Sequence, residues 1–229
     1  MKEKNLKISK MLKNERQEAK LEARGSIHWV DKKSDIIYKI YKKVNLLDDP
    51  NNIKTRLSQI VKLSCAMEFI PETNYSYEED LLVMKQKRLT KNKELKEIEL
   101  LKKLLLIKKF SQSLDRMYEE GFVHGDINRK NIIYSDDRLC LIDFEPSLLQ
   151  VKDRVKQWMS TRPYRYYEDI QNNNITVKSD FLGFGCFIKW FLLRSNPPQY
   201  YADECSKVIS EFKVKSSPFQ NLTRLLVIL

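Results

Sequence analysis

Five glycines in 229 residues leave little material for a flexible glycine-rich loop, so any such loop must be made with less. Long apolar runs are missing too. No stretch approaches the roughly 18 uninterrupted apolar residues of a membrane span. The N-terminal MKEKNLKISKMLKNERQEAKLEAR is charged throughout and lacks the apolar segment of a secretory signal. The four cysteines, Cys65, Cys140, Cys186 and Cys205, are scattered and fit no zinc-ligand spacing. Reduced thiols in a cytoplasm are therefore expected. A protein delivered into a host cytoplasm without a cleavable signal peptide would look the same.

Apolar side chains are plentiful: 42% of the residues are hydrophobic, with ten Phe, eleven Tyr and three Trp, enough to build a core and to argue against wholesale disorder. The length suits one domain or two small lobes sharing a cleft. Net charge is +11, from 42 Lys and Arg against 31 Asp and Glu, and the excess gathers between Lys85 and Lys109. Lysines there fall on the outside of a helical repeat whose inside is Leu and Ile. This reads as a solvated helix face, or as a basic surface that meets an acidic one.

Along the chain, residues 3 to 23 read as a polar helix. IHWVDKKSDIIYKIYKK reads as two short strands joined near Lys32 to Asp35. Residues 52 to 68 carry helical spacing, and DLLVMKQ, 80 to 86, is a buried-looking strand. One or two helices span Glu94 to Glu120 and stop at Gly121. Paired short strands NIIYSDD and LCLIDF follow, then an irregular segment to about residue 177, an apolar helix SDFLGFGCFIKWFLL and a short helical tail. Strands with one helix, then mostly helices, define an α+β chain of two lobes.

The loop FVHGDINRKNII, residues 122 to 133, holds Asp126 and Asn131 between apolar flanks, and by itself it is also an ordinary polar turn. LIDFEPS follows with Asp143. His124-Gly125-Asp126 with Asn131, then Asp143-Phe144-Glu145, resembles the catalytic loop H-R-D-x-x-x-x-N and the metal-binding D-F-G of the protein-kinase-like fold. The resemblance covers roughly residues 24 to 195. STRPYRYYEDI resembles an activation and substrate-binding segment, with Glu168 where kinases carry the Glu of Pro-Glu. Asp180 opens a helix resembling the one that anchors the kinase catalytic loop; an N-terminal carboxylate on the helix dipole is the plainer reading.

The resemblance implies a two-lobed α+β fold with a small β-rich N-lobe at about 1–84, a hinge at about 85–87 and a truncated, mostly helical C-lobe at about 88–229. These make one kinase-like domain over 1–229. It implies ATP and Mg²⁺ as cofactors. Asp126 would be the catalytic base, Asn131 and Asp143 the metal ligands, and His124, Glu168 and Asp180 supports of the site. Lys39 in IIYKIY would hold the nucleotide phosphates, Gly25 and Ser26 would cover them, Met84 would be the gatekeeper, and the backbone of Lys85 to Lys87 would face adenine. Two departures stand out. The glycine loop is reduced to Gly25-Ser26, and the helix at 52 to 68 has no Glu to partner Lys39, with Gln59 the nearest polar substitute.

A serine/threonine-type protein kinase is expected, with protein substrates, an activating partner or constitutive activity, and a size resembling that of kinase effectors which bacteria inject into host cells. The HGD triplet is shared with sugar, antibiotic and tRNA-modification-associated kinases, which gives a small-molecule or atypical kinase as the alternative. The missing Glu and reduced glycine loop give a pseudokinase binding module as a third reading.

Overall fold

The computed structural model describes residues 20–21, 26–31, 34–42, 50–78, 81–89, 98–144, 169, 171 and 176–193. A five-stranded antiparallel sheet comes first, with strand order β1-β2-β3-β5-β4. Its members are β1 (Lys20–Leu21), β2 (Ser26–Asp31), β3 (Ile36–Lys42), β4 (Thr73–Glu78) and β5 (Leu81–Lys87). Helix α1 (Pro50–Ala66) packs on this sheet, and the longer α2 (Leu100–Glu119), the hairpin β6 (Ile132–Ser135) and β7 (Arg138–Leu141), and α3 (Val177–Leu193) complete the described chain. Among the described residues no helix is long and apolar enough to cross a membrane.

The strands 26–31 and 36–42 form where β-branched and aromatic residues concentrate, and Asp35 turns between them at φ 54°, a left-handed conformation that Asp tolerates. Lys20 and Leu21 correct the expected N-terminal helix. They pair with His28 and Ile27 as an edge strand, because an adjacent strand offers backbone partners that an isolated polar helix lacks. The rest of that expected helix, residues 3 to 19 and 22 to 23, lies outside the described residues, as does the tail after Leu193. Strand β4 had a usable signal that the sequence reading missed: TNYSYE alternates Thr, Tyr and Tyr with polar residues, the period-2 pattern of a half-buried strand.

Helix α1 turns Leu57, Ile60 and Leu63 inward at helical spacing, where they join Leu82 and Met84 of the sheet. Below them a file of aromatic rings links the lobes. Phe69 meets Phe110 edge-on at 5.6 Å, Phe110 meets Phe184 at 5.3 Å, and Phe187 stacks on Phe191 at 5.3 Å. Leu141 N–H donates to the Phe69 carbonyl at 2.8 Å, tying β7 to the segment after α1.

Helix α2 ends as its sequence implies, with Gly121 in the left-handed region at φ 73° and its N–H on the Tyr118 carbonyl. Its N-terminal turns depart from the expected pattern of lysines outside and leucines inside. Lys103 is buried with its ammonium 5.5 Å from the Phe191 ring centre, while Leu100, Leu101, Leu104 and Leu105 are exposed. The end of α3 occupies the face onto which Lys103 points, and a cation over an aromatic face is a favourable occupant of it.

Candidate active site

The cleft between the sheet and the helices gathers the charged residues. Helix α3 sets the geometry. Asp180, in its first turn and fully buried, accepts hydrogen bonds from the backbone N–H of His124 (2.8 Å) and Gly125 (2.6 Å), with Tyr118 Oη at 3.4 Å. Burial pushes its carboxyl up to about 7, against the pull of those N–H donors. This goes beyond a dipole contact: the carboxylate grips the loop backbone directly. Gly125 sits at φ 84°, which suits a residue without Cβ at that bend. Gly183, one turn further along α3, lies against the loop so closely that a Cβ there would stand 2.0 Å from the Ile127 carbonyl oxygen.

His124 is buried, with Nδ1 accepting the Asp126 N–H at 3.2 Å and Nε2 lying 3.0 Å from the Ile142 carbonyl. Those partners assign the neutral tautomer protonated on Nε2. The ring also meets Phe144 edge-on at 4.7 Å. His124 thus braces the catalytic loop against the segment that carries Asp143.

Asn131 donates from Nδ2 to the Asp126 backbone carbonyl (2.9 Å) and to its carboxylate (3.2 Å), and its own carbonyl accepts from Ile142 N–H at 2.9 Å. Asn128 closes the loop from within: it donates to the same Asp126 carbonyl at 3.0 Å and accepts from Lys130 N–H at 2.8 Å. Sequence reading passed over Asn128, whose only signal was an Asn in a turn. It also passed over Asp169, which is buried and accepts from Thr176 N–H at 3.0 Å and from the Thr176 hydroxyl, fastening the entry to α3.

Lys39 comes from the opposite lobe. Its ammonium lies 3.0 Å from Asp143 Oδ1, with 8% of the lysine side chain exposed against 37% of the aspartate. Asp143 holds this position at φ 68°, an unusual conformation for a residue with a Cβ, of the kind that clusters at functional sites. Helix α1 supplies no carboxylate, because the segment from Pro50 to Ala66 contains neither Asp nor Glu. Gln59 is half-buried and makes no hydrogen bond to Lys39, and Glu68 is turned away onto Arg138 at 2.8 Å.

Met84 is buried and stands directly across from Lys39 in the β3–β5 register. Lys85 to Lys87 were expected to form the hinge. Those residues close strand β5, paired with Ile36 to Tyr38 on one side and, for Lys85 and Gln86, with Asn74 and Thr73 on the other. Lys87 N–H is spent on the Glu72 carbonyl at 2.9 Å. Lys85 itself lies over the Tyr38 ring at 5.9 Å. Ser26 begins β2, opposite Tyr41. Gly25, Glu145, Glu168 and the segment STRPYRY lie outside the described residues.

A divalent cation fits this donor set. With its amide N–H groups turned onto Asp126, Asn131 keeps Oδ1 without a hydrogen-bond partner among the described residues, and the Asp143 carboxylate follows one residue after Ile142, which is bonded to Asn131. Hard oxygen ligands of this kind suit a cation that shares its sphere with phosphate and water. Among the described residues no cluster of three His, Cys, Asp or Glu forms an all-protein metal cage. The described cysteines, Cys65, Cys140 and Cys186, are free thiols.

The family model for the protein kinase domain matches residues 54–222, and the chain belongs to that family. The match begins after β3, so it does not reach Lys39; only the fold ties that lysine to the site. Among solved structures, the chain is similar to the Cydia pomonella granulovirus kinase PK-1, with a TM-score of 0.63 and 15% identity over 100% of this chain and 93% of that one. A search among curated protein sequences finds no match. The chain is therefore a kinase domain of two lobes, a class that uses ATP with a divalent metal and acts on proteins.

Proposed function

We propose that the chain transfers the γ-phosphoryl group of Mg-ATP to a serine or threonine hydroxyl of a protein. The observation that carries this reading is a pair of side-chain contacts on adjoining segments, Lys39 to Asp143 from one lobe to the other and Asn131 to Asp126 within the loop, joined through the Ile142 N–H on the Asn131 backbone carbonyl. Magnesium, held by Asn131 Oδ1 and Asp143, would supply charge neutralisation at the phosphates.

The chain's own residues supply orientation. Asp126, its carboxylate steered by Asn131 Nδ2, accepts the proton of the attacking hydroxyl. The hydroxyl oxygen forms its bond to the γ-phosphorus as the bond to the β–γ bridging oxygen breaks, and ADP leaves. Lys39 holds the α- and β-phosphates by charge. Asn128 and His124 hold the loop and move no proton.

Radiolabelled ATP and Mg²⁺ with the purified protein and casein test this directly. Label should enter protein, and Asp126→Ala and Asp143→Ala should each lower the rate by about 10³-fold or more while the melting transition persists. Transfer at the parent rate by either variant overturns the site assignment. Gly125 in place of the family's Arg favours a second reading, a small-molecule acceptor, for which label would appear on a sugar or aminoglycoside and not on protein.

A further inference from the structure

We infer that residues 203–212 of this chain, which lie outside the described residues, dock onto an apolar face at the start of α2. The inference is independent of catalysis. Leu100, Leu101, Leu104 and Leu105 are 62%, 70%, 44% and 52% exposed. At offsets of one, four and five they form a single strip along the first turns, beside the buried face that carries Lys103, Leu106, Ile107 and Phe110. A contiguous apolar patch of this kind marks a surface that another element covers. The strip ends in charge. Lys108 and Lys109 follow Leu104 and Leu105 by four residues, both are exposed, and neither joins an ion pair among the described residues. The occupant is therefore apolar along one side and acidic at its edge.

The chain itself supplies such a segment close by. Lys103 Nζ lies 5.5 Å from the Phe191 ring centre, so the end of α3 stands beside these same turns of α2. Helix α3 closes at Leu193, which is itself 53% exposed. Residues 194 to 204, fully extended, reach roughly 36 Å, several times the roughly 8 Å length of the leucine strip. The stretch that follows, DECSKVISEF, carries Cys205, Val208, Ile209 and Phe212 at helical spacing, with Asp203, Glu204 and Glu211 among them against Lys207. The later stretch NLTRLLVIL repeats the apolar spacing, but its charge is Arg224, the wrong sign for Lys108 and Lys109. A second copy of the chain brings another +11 of charge, whereas a tethered segment acts at an effective concentration of roughly millimolar.

Disulfide trapping in the full chain tests the docking. In a Cys65→Ser background Leu104→Cys places a thiol on the strip, and Cys140 and Cys186 are buried. Mild oxidation should join it to Cys205 within one chain, identified by the mass of the linked peptide. The bond should form at least about tenfold faster than from Lys54→Cys, an exposed site on α1. Lys108→Glu with Lys109→Glu should slow it about threefold or more, and adding Glu204→Lys with Glu211→Lys should restore it. Equal rates from Leu104→Cys and Lys54→Cys would overturn the inference. So would a rate unmoved by the charge reversals. A disulfide between two chains, with a doubled mass in solution, would assign the face to a second copy and overturn it as well.

Discussion

On the helical side of the cleft, two backbone N–H groups of the catalytic loop and a tyrosine hydroxyl converge on one buried carboxylate, Asp180, while His124, Asn128 and Asn131 cross-brace the same few residues. On the sheet side, the described carboxylate for Lys39 is Asp143, and it belongs to the other lobe. The first region is over-determined: losing one bond leaves others to hold Asp126. The second ties its lysine to a residue across the lobes, the one proposed above as a metal ligand. Helix α1 cannot relieve it, since its charged residues are Lys54, Arg56 and Lys62. In a kinase with a helix Glu, swinging that helix sets the lysine; here nothing on α1 gives such a swing electrostatic leverage.

The sharpest way to break the comparison is to change Lys39 itself and, separately, Gln59, the nearest polar residue of α1. Lys39→Met should lower kcat/KM by about 10³-fold, because the positive charge facing the phosphates is gone. Gln59→Ala should change it by less than about threefold, since the amide makes no bond to the lysine and can offer only a hydrogen bond where a charge is wanted. Severe and equal losses in both would mean that α1 rotates Gln59 onto Lys39 during turnover, and the sheet side would then be as well braced as the helical side.

A smaller effect sharpens the other half. Asp180 is held with its carboxyl pushed up to about 7 by burial, whereas an unfolded aspartate titrates near 3.8. Between those values the folded state binds the extra proton. Stability from this group is therefore present at low pH and lost as pH rises from about 4 through 7. Between pH 5 and 6.5 the loss amounts to about 2 kcal/mol. Melting temperatures of the parent and of Asp180→Asn across this range should diverge in slope, the variant lacking Asp180's share. Parallel curves would show that the two N–H donors outweigh burial and keep Asp180 charged throughout.

The two regions also differed in how much of them could be read from sequence. The catalytic loop and its anchor are short-range patterns: Asp126, Asn131, Asp143 and Asp180 lie on local motifs whose spacing survives in one dimension. The strand side depends on register. Met84 faces Lys39 because β5 pairs antiparallel with β3, and β5 runs to Lys87 between β3 and β4. A single sequence shows neither pairing. Gly183 had a usable signal: one of only five glycines in the chain, placed inside an apolar helix, marks close approach by another backbone.

The smallest effect concerns regulation, and it follows from Gly125. Kinases switched by phosphorylation of the activation segment commonly use the Arg of H-R-D to grip the new phosphate, since a bidentate guanidinium can order the segment. At φ 84°, with its N–H committed to Asp180, Gly125 offers that phosphate neither a side chain nor a backbone donor. The loop has no need of such a tie, because Asp180, His124 and Asn128 already fix it without one. Activity should therefore be constitutive with respect to phosphorylation of Ser160, Thr161 or Tyr164. Complete dephosphorylation of the purified enzyme should change the initial rate by less than about twofold. A drop of tenfold, restored by phosphate returned to residues 146 to 167, would show that Arg162 or Arg165 takes over the missing grip and that the helical side is less self-sufficient than its hydrogen bonds imply.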